Sequence, residues 1–71
     1  MTNEKEKPPQ LSSREKECLL HLARGLRVQE LASSLGISAK TAEKQIASAR
    51  KKIGAATREQ AIAIAISKNL L

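Results

Sequence analysis

Residues 38–53 read SAKTAEKQIASARKKI. Apolar side chains recur at Ala42, Ile46, Ala49 and Ile53, a four-three-four spacing that draws one narrow stripe along a helix. At about 100° per residue, Lys40, Glu43, Lys44, Ala47 and Lys51 gather on the opposite side. Such a helix packs through one edge and shows water a basic face that also carries small residues. Ser38 caps it and Gly54 stops it. A shorter segment ends upstream at Gly36, with only Ile37 between that glycine and Ser38. Short helix, tight glycine turn and longer basic helix make the helix-turn-helix pattern, whose second helix enters the DNA major groove. A solvated basic helix gives the same periodicity, and this stretch alone fits both.

Working outward, residues 28–35 form the preceding helix, with Val28, Leu31, Ala32 and Leu35 buried. Arg27 stands at its N-cap, where arginine is a poor residue. It reads either as a weak cap or as a cation placed to bind a phosphate oxygen beside the unpaired N–H groups of the first turn. Before that, Ser12 and Glu15 have capping-box spacing at the start of a helix over about 13–24. Cys18, Leu19, Leu22 and Ala23 make its buried stripe, Leu11 staples onto its first turn, and Gly25 stops it. Thr57 and Gln60 repeat the capping-box spacing and open a last helix over about 58–68. Its AIAIAI run, residues 61–66, alternates like a strand, but the cap, the alanines and the lack of a partner strand favour helix. Ala61, Ile62, Ala65 and Ile66 then face the core, which leaves Ala63 and Ile64 partly outside as a contact surface. A second copy of the same helix, related by two-fold symmetry, is the simplest partner. The fold class is therefore all-α, a four-helix bundle with helices at about 13–24, 28–35, 39–53 and 58–68.

The bulk numbers agree. Seventy-one residues allow one domain with a modest core. With no Phe, Tyr or Trp, that core is built from Leu, Ile, Val and Ala, and base-stacking RNA or single-strand modules are disfavoured. The net charge of +6 belongs to residues 11–71, since Glu4 and Glu6 offset Lys5 and Lys7, and it favours a polyanionic partner. Residues 1–10, MTNEKEKPPQ, read as a flexible tail or linker, and 11–71 as the domain. Cys18 is the only cysteine, which excludes an internal disulfide and a cysteine-based zinc site. No apolar run approaches membrane-spanning length, so the expectation is a soluble protein of a reducing cytoplasm with no membrane partner. No Ser-His-Asp or Cys-His constellation, phosphate-cradling glycine loop or metal-ligand cluster is present, and His21 stands alone as a surface or half-buried residue. Glu15, Glu17, Glu30, Glu43 and Glu59 read as caps and surface pairs. An enzyme is disfavoured, and no cofactor or metal is implied.

From LSSREKECLLHLARGL through VQELASSLGISAKTAEKQI to RKKIGAATREQAIAIAI, residues 11–71 resemble the LuxR/FixJ-type (GerE-type) DNA-binding domain of bacterial transcription regulators. The pieces are Leu11-Ser12, Arg14-Glu15, Glu17, Gly25-Leu26, Glu30-Leu31-Ala32, Leu35-Gly36-Ile37-Ser38, Lys40-Thr41, Lys52-Ile53-Gly54 and Arg58 with Ala61. The resemblance implies a four-helix domain that dimerises through its last helix and reads inverted-repeat double-stranded DNA with its third. Carried over by position, Glu43, Lys44 and Ala47 face base edges, and Lys40, Thr41, Ser48 and Lys51 flank them. Arg27, Val28 and Gln29 approach phosphates, with the Arg50-Lys51-Lys52 cluster in support. Gln60, Ala63, Ile64 and Ser67 are placed at the dimer interface. The chain departs from the family at Ala42, usually valine, at Gln45, often histidine, and at Arg27, usually serine or threonine. These changes bear on the target sequence more than on the fold. EKECLL and REQAIAIAI are closer to the quorum-sensing branch, which responds to acyl-homoserine lactones, than to phosphorylated response regulators. The rival from another class is a protein-interaction module that forms mixed dimers with a full-length regulator or contacts RNA polymerase.

Overall fold

Each helix starts and stops for a local reason. A computed structural model describes residues 10–71, in which α1 spans Ser13–Ala23, α2 Val28–Leu35, α3 Ala39–Lys52 and α4 Arg58–Ser67. The tail reading for residues 1–10 falls, apart from Gln10, outside the described residues. Ser12, Ser38 and Thr57 sit in extended backbone, and their hydroxyl oxygens accept the N–H of Glu15, Thr41 and Gln60 at 3.1, 3.0 and 3.0 Å. Each satisfies one of the N–H groups that a helix start leaves unpaired. Glu15 completes a capping box by accepting the Ser12 N–H at 2.8 Å. The box expected at α4 is only half made, because the Gln60 carbonyl accepts the Ala56 N–H instead, at 2.6 Å. At α2, Arg27 offers no side-chain oxygen, and Glu30 makes the half that remains by accepting the Arg27 N–H at 2.8 Å.

The four C-termini share one device. Leu26, Ile37, Ala55 and Leu70 each donate their N–H five residues back, to the carbonyls of His21, Ala32, Arg50 and Ala65, at 2.8 to 3.0 Å. This is the Schellman closure, and it needs a left-handed residue just before the donor. Gly25, Gly36 and Gly54 supply it in three helices and Asn69, at φ 55°, in the fourth. An added Cβ at Gly54 would meet nothing within 4 Å, so its φ of 70°, not lack of space, calls for glycine there. Three helices consequently end one residue earlier than the sequence predicts, with Arg24, Ile53 and Lys68 as caps. All four donors are apolar and pack inward, so the stop signal also anchors the chain to the core.

α1 and α3 form the central pair, each packed against all three other helices, while α2 and α4 lie against them without meeting one another. Two apolar clusters result. Cys18, Leu31, Ala32, Ala42 and Ile46 fill the space with α2, and Leu11, Leu19, Ala49, Ala55, Ala61 and Ala65 fill the space with α4. Leu22 touches both. Leu11 thus enters the core. Val28 and Leu35 are half-buried against the α2 cluster. Alanines that are fully buried at 42, 49, 61 and 65 let the helices approach closely, as an aromatic-free core requires. Cys18 is buried and its thiol pKa is raised by burial, so it is a core residue rather than a reactive one.

The AIAIAI run is helical throughout, as the cap implied. Its facing differs from expectation. Ile66 is 57% exposed although the sequence reading put it in the core, and Ile64 is half-buried against the α1–α4 cluster. Alternation spreads isoleucine around an α-helix, so the packing partners decide which ones are covered. Ala23, expected in the stripe of α1, is also exposed, at the last residue of that helix, where it lines a surface depression with Ala65 and Ile66 of α4.

Candidate nucleic-acid interface

α3 carries five basic residues and one acidic residue, and its buried stripe of Ala42, Ile46 and Ala49 turns the rest outward. Measured round the helix from Glu43, Ala47, Lys40, Lys51 and Lys44 follow at about 40°, 60°, 80° and 100°, with Ser48 and Lys52 at about 140° and 180°. Lys40, Lys44 and Lys51 are exposed, and among the described residues none has an ion-pair partner. Ala47 is half-buried between two shallow depressions. One is lined by Glu43, Ile46, Arg50 and Arg58, the other by Lys44, Ser48, Lys51 and Lys52. A small residue flanked by free ammonium groups makes a ridge that a groove floor can approach closely.

The two edges of this arc are held by the other helices. On one, Arg58 of α4 donates to Oε1 of Glu43. On the other, Glu15 of α1 accepts the Ser48 hydroxyl at 2.6 Å on Oε2 and the Lys52 ammonium at 2.9 Å on Oε1. Glu15 makes the cap expected of it and is also 3% exposed, a burial that the expectation of caps and surface pairs did not include. Burial pushes its carboxyl pKa up, but hydrogen bonds from Ser48, Ser12 and Lys52, with the Lys52 charge, outweigh this and hold it at about 2. Arg50 donates to the Ala55 carbonyl at 3.1 Å and braces the turn before α4. Ser48, Arg50 and Lys52, expected to approach DNA, are therefore all engaged within the protein. Thr41 is exposed, and its hydroxyl takes the Ser38 proton at 2.9 Å.

At the start of α2, Arg27 and Gln29 are exposed and Val28 is half-buried. Among the described residues no side chain caps the helix, so the N–H groups of its first turn are left without a capping oxygen beside the exposed Arg27. On α4, Gln60, Ala63 and Ser67 are exposed, while Ile64 shows only an edge. Arg58 and Glu15 are the residues whose tertiary roles the sequence reading missed. Glu15 did leave a signal. It stands at 15, 18, 19, 22 spacing with Cys18, Leu19 and Leu22, a carboxylate inside an apolar stripe. Arg58 left none, since its partner is 15 residues away on another helix.

The fold and this surface define a helix-turn-helix domain with a basic second helix. The pattern described as "Bacterial regulatory proteins, luxR family" matches residues 9–65, and the chain belongs to that family. Two Bacillus subtilis (strain 168) proteins are similar. The uncharacterized transcriptional regulatory protein YhcZ is 40% identical over 67 residues, which cover 94% of this chain and 31% of that protein. The transcriptional regulatory protein YdfI is 36% identical over 62 residues, which cover 87% and 29%. The chain thus spans about a third of the length of these relatives. The domain is a DNA-binding domain of transcription regulation and not an enzyme. No helix among the described residues is long and apolar enough to cross a membrane.

Proposed function

We propose that the domain binds double-stranded DNA as a dimer, with one α3 in each of two successive major grooves on a pseudo-palindromic site. The observation that carries this is the exposed arc of α3, where Lys40, Lys44 and Lys51 have no ion-pair partner among the described residues around Ala47. Lys44 donates to guanine O6 or N7, and Ala47 touches a thymine methyl. Glu43 keeps Oε2 for cytosine N4 while Arg58 occupies Oε1. Lys40, Lys51 and Arg27 neutralise phosphates, with Thr41, Gln29 and the open start of α2 beside them. Arg50, Ser48 and Lys52 support this surface from within the domain.

The dimer uses the exposed side of α4, where Gln60, Ala63, Ser67 and the edge of Ile64 lie, and Ile66 adds apolar area. The likeness of EKECLL and REQAIAIAI to the quorum-sensing branch supports a regulator of that branch rather than a phosphorylated response regulator. Residues 11–71 form the DNA-binding unit, and 1–10 a tail or linker. A second reading, mixed dimers with a full-length regulator or contact with RNA polymerase, draws on the exposure of Leu20, Ile66 and Leu71.

The test is anisotropy of a labelled random-sequence duplex titrated with the chain at low and physiological salt. Binding that collapses as salt rises supports the phosphate-neutralising face and allows the operator to be selected from a random pool. No binding at low salt, from a chain with a helical circular dichroism spectrum, overturns the DNA reading and favours the second one.

A further inference from the structure

Among the described residues one charged group is buried, Glu15. Its Oε2 accepts from Ser48 of α3, and its Oε1 from both Lys52 of α3 and the Ser12 N–H of its own helix cap. The partners, Ser48 and Lys52, are one helical turn apart and lie 33 and 37 residues from Glu15 in sequence. They form the edge of the arc that carries Lys44 and Ala47. The apolar contacts beneath α3 constrain its rotation weakly, because two of its three buried residues are alanines and apolar burial has no preferred direction. Hydrogen bonds do have one. A rotation of about 20° moves a side-chain tip about 5 Å from the helix axis by about 2 Å, which breaks a hydrogen bond at a base edge.

We propose that Glu15 is a positioning residue for DNA reading, and that Ser48 and Lys52 serve as its handles on α3 rather than as contacts to DNA. The inference rests on the DNA-binding reading above. It reassigns Lys52, whose charge would otherwise count toward phosphate neutralisation. Glu15 is 3% exposed and lies beneath α3, so the tether acts through the angle at which α3 meets the groove.

Lys52→Gln, at a largely exposed side chain, and Glu15→Gln, nearly isosteric, test this, separately and together. Folding is checked by circular dichroism, and each variant is titrated against the selected operator and a random duplex over a range of salt. The expected result is about a tenfold loss of preference for the operator in each single variant, the size of one lost base contact. The slope of log affinity against log salt stays unchanged for Lys52→Gln, and the double variant loses no more than either single one. A slope reduced by about 0.9 in Lys52→Gln, with operator and random duplex weakened alike, would place Lys52 on a phosphate and overturn the proposal. Undiminished preference in the folded variants would overturn it too. A parent chain that binds no duplex defeats the underlying DNA reading instead, and is recognised before any variant is made.

Discussion

α3 and α4 lie side by side and bury alanines in the same cluster, Ala49 from one and Ala61 and Ala65 from the other. Their sequences announce this very differently. In α3 the apolar residues recur at helical spacing, so the buried face, the exposed arc and its five members follow from the order of residues. In α4 the isoleucines alternate, which puts Ile62 and Ile66 about 40° apart and Ile64 on the opposite side of the helix. The pattern states that α4 is apolar without saying which side is inside. Its cap and stop are as well defined as those of α3, with Thr57 at one end and Asn69 at the other. Local signals set where a helix lies in the chain, and amphipathic period sets how it is turned.

The largest expected effect probes the buried side of α3. Ile46→Ala removes a side chain that is 1% exposed in the α2 cluster, and urea unfolding should show a loss of about 2–5 kcal/mol. The tether on α3's edge comes next. The Glu15 pKa is lowered from a usual 4.5 to about 2, so its stabilising contribution is complete above the usual value. It is lost as pH falls from there toward 2, and at about 1.4 kcal/mol per pKa unit the loss is about 3 kcal/mol. Denaturation between pH 6 and 2 should show this acid limb, and Glu15→Gln should flatten it.

On the exposed arc, Lys44→Ala should cost about 1–3 kcal/mol of preference for the operator, while Lys51→Ala should weaken all duplexes alike and reduce the salt slope by about 0.9. Uniform loss in both would remove Lys44 from the bases. The caps sharpen the comparison by predicting no difference. Ser38→Ala and Thr57→Ala should each destabilise by about 1 kcal/mol, since both hydroxyls accept an N–H at 3.0 Å. The smallest effect belongs to α4. Ile66→Ser should change the stability of the monomer by less than about 0.5 kcal/mol, and a cost like that of Ile46 would mean the residue is covered after all.

The candidate site was legible wherever one helix carries it. Lys40, Glu43, Lys44, Ala47 and Lys51 were grouped by period, and the structure exposes that arc, with Ala47 half-buried in it. What was not legible is which of the basic residues are free. Arg50, Lys51 and Lys52 are consecutive and alike in sequence, yet the first braces a turn, the second faces solvent and the third is bound to α1.

By itself the sequence determined four helices, their caps, their glycine stops and the outward face of α3, because each depends on residues within one or two turns of one another. Only the tertiary structure decided which isoleucines of α4 are covered, and that Glu15 and Arg58 hold the two edges of α3. Those outcomes depend on helices 15 to 37 residues apart arriving at one place, and no local period encodes that.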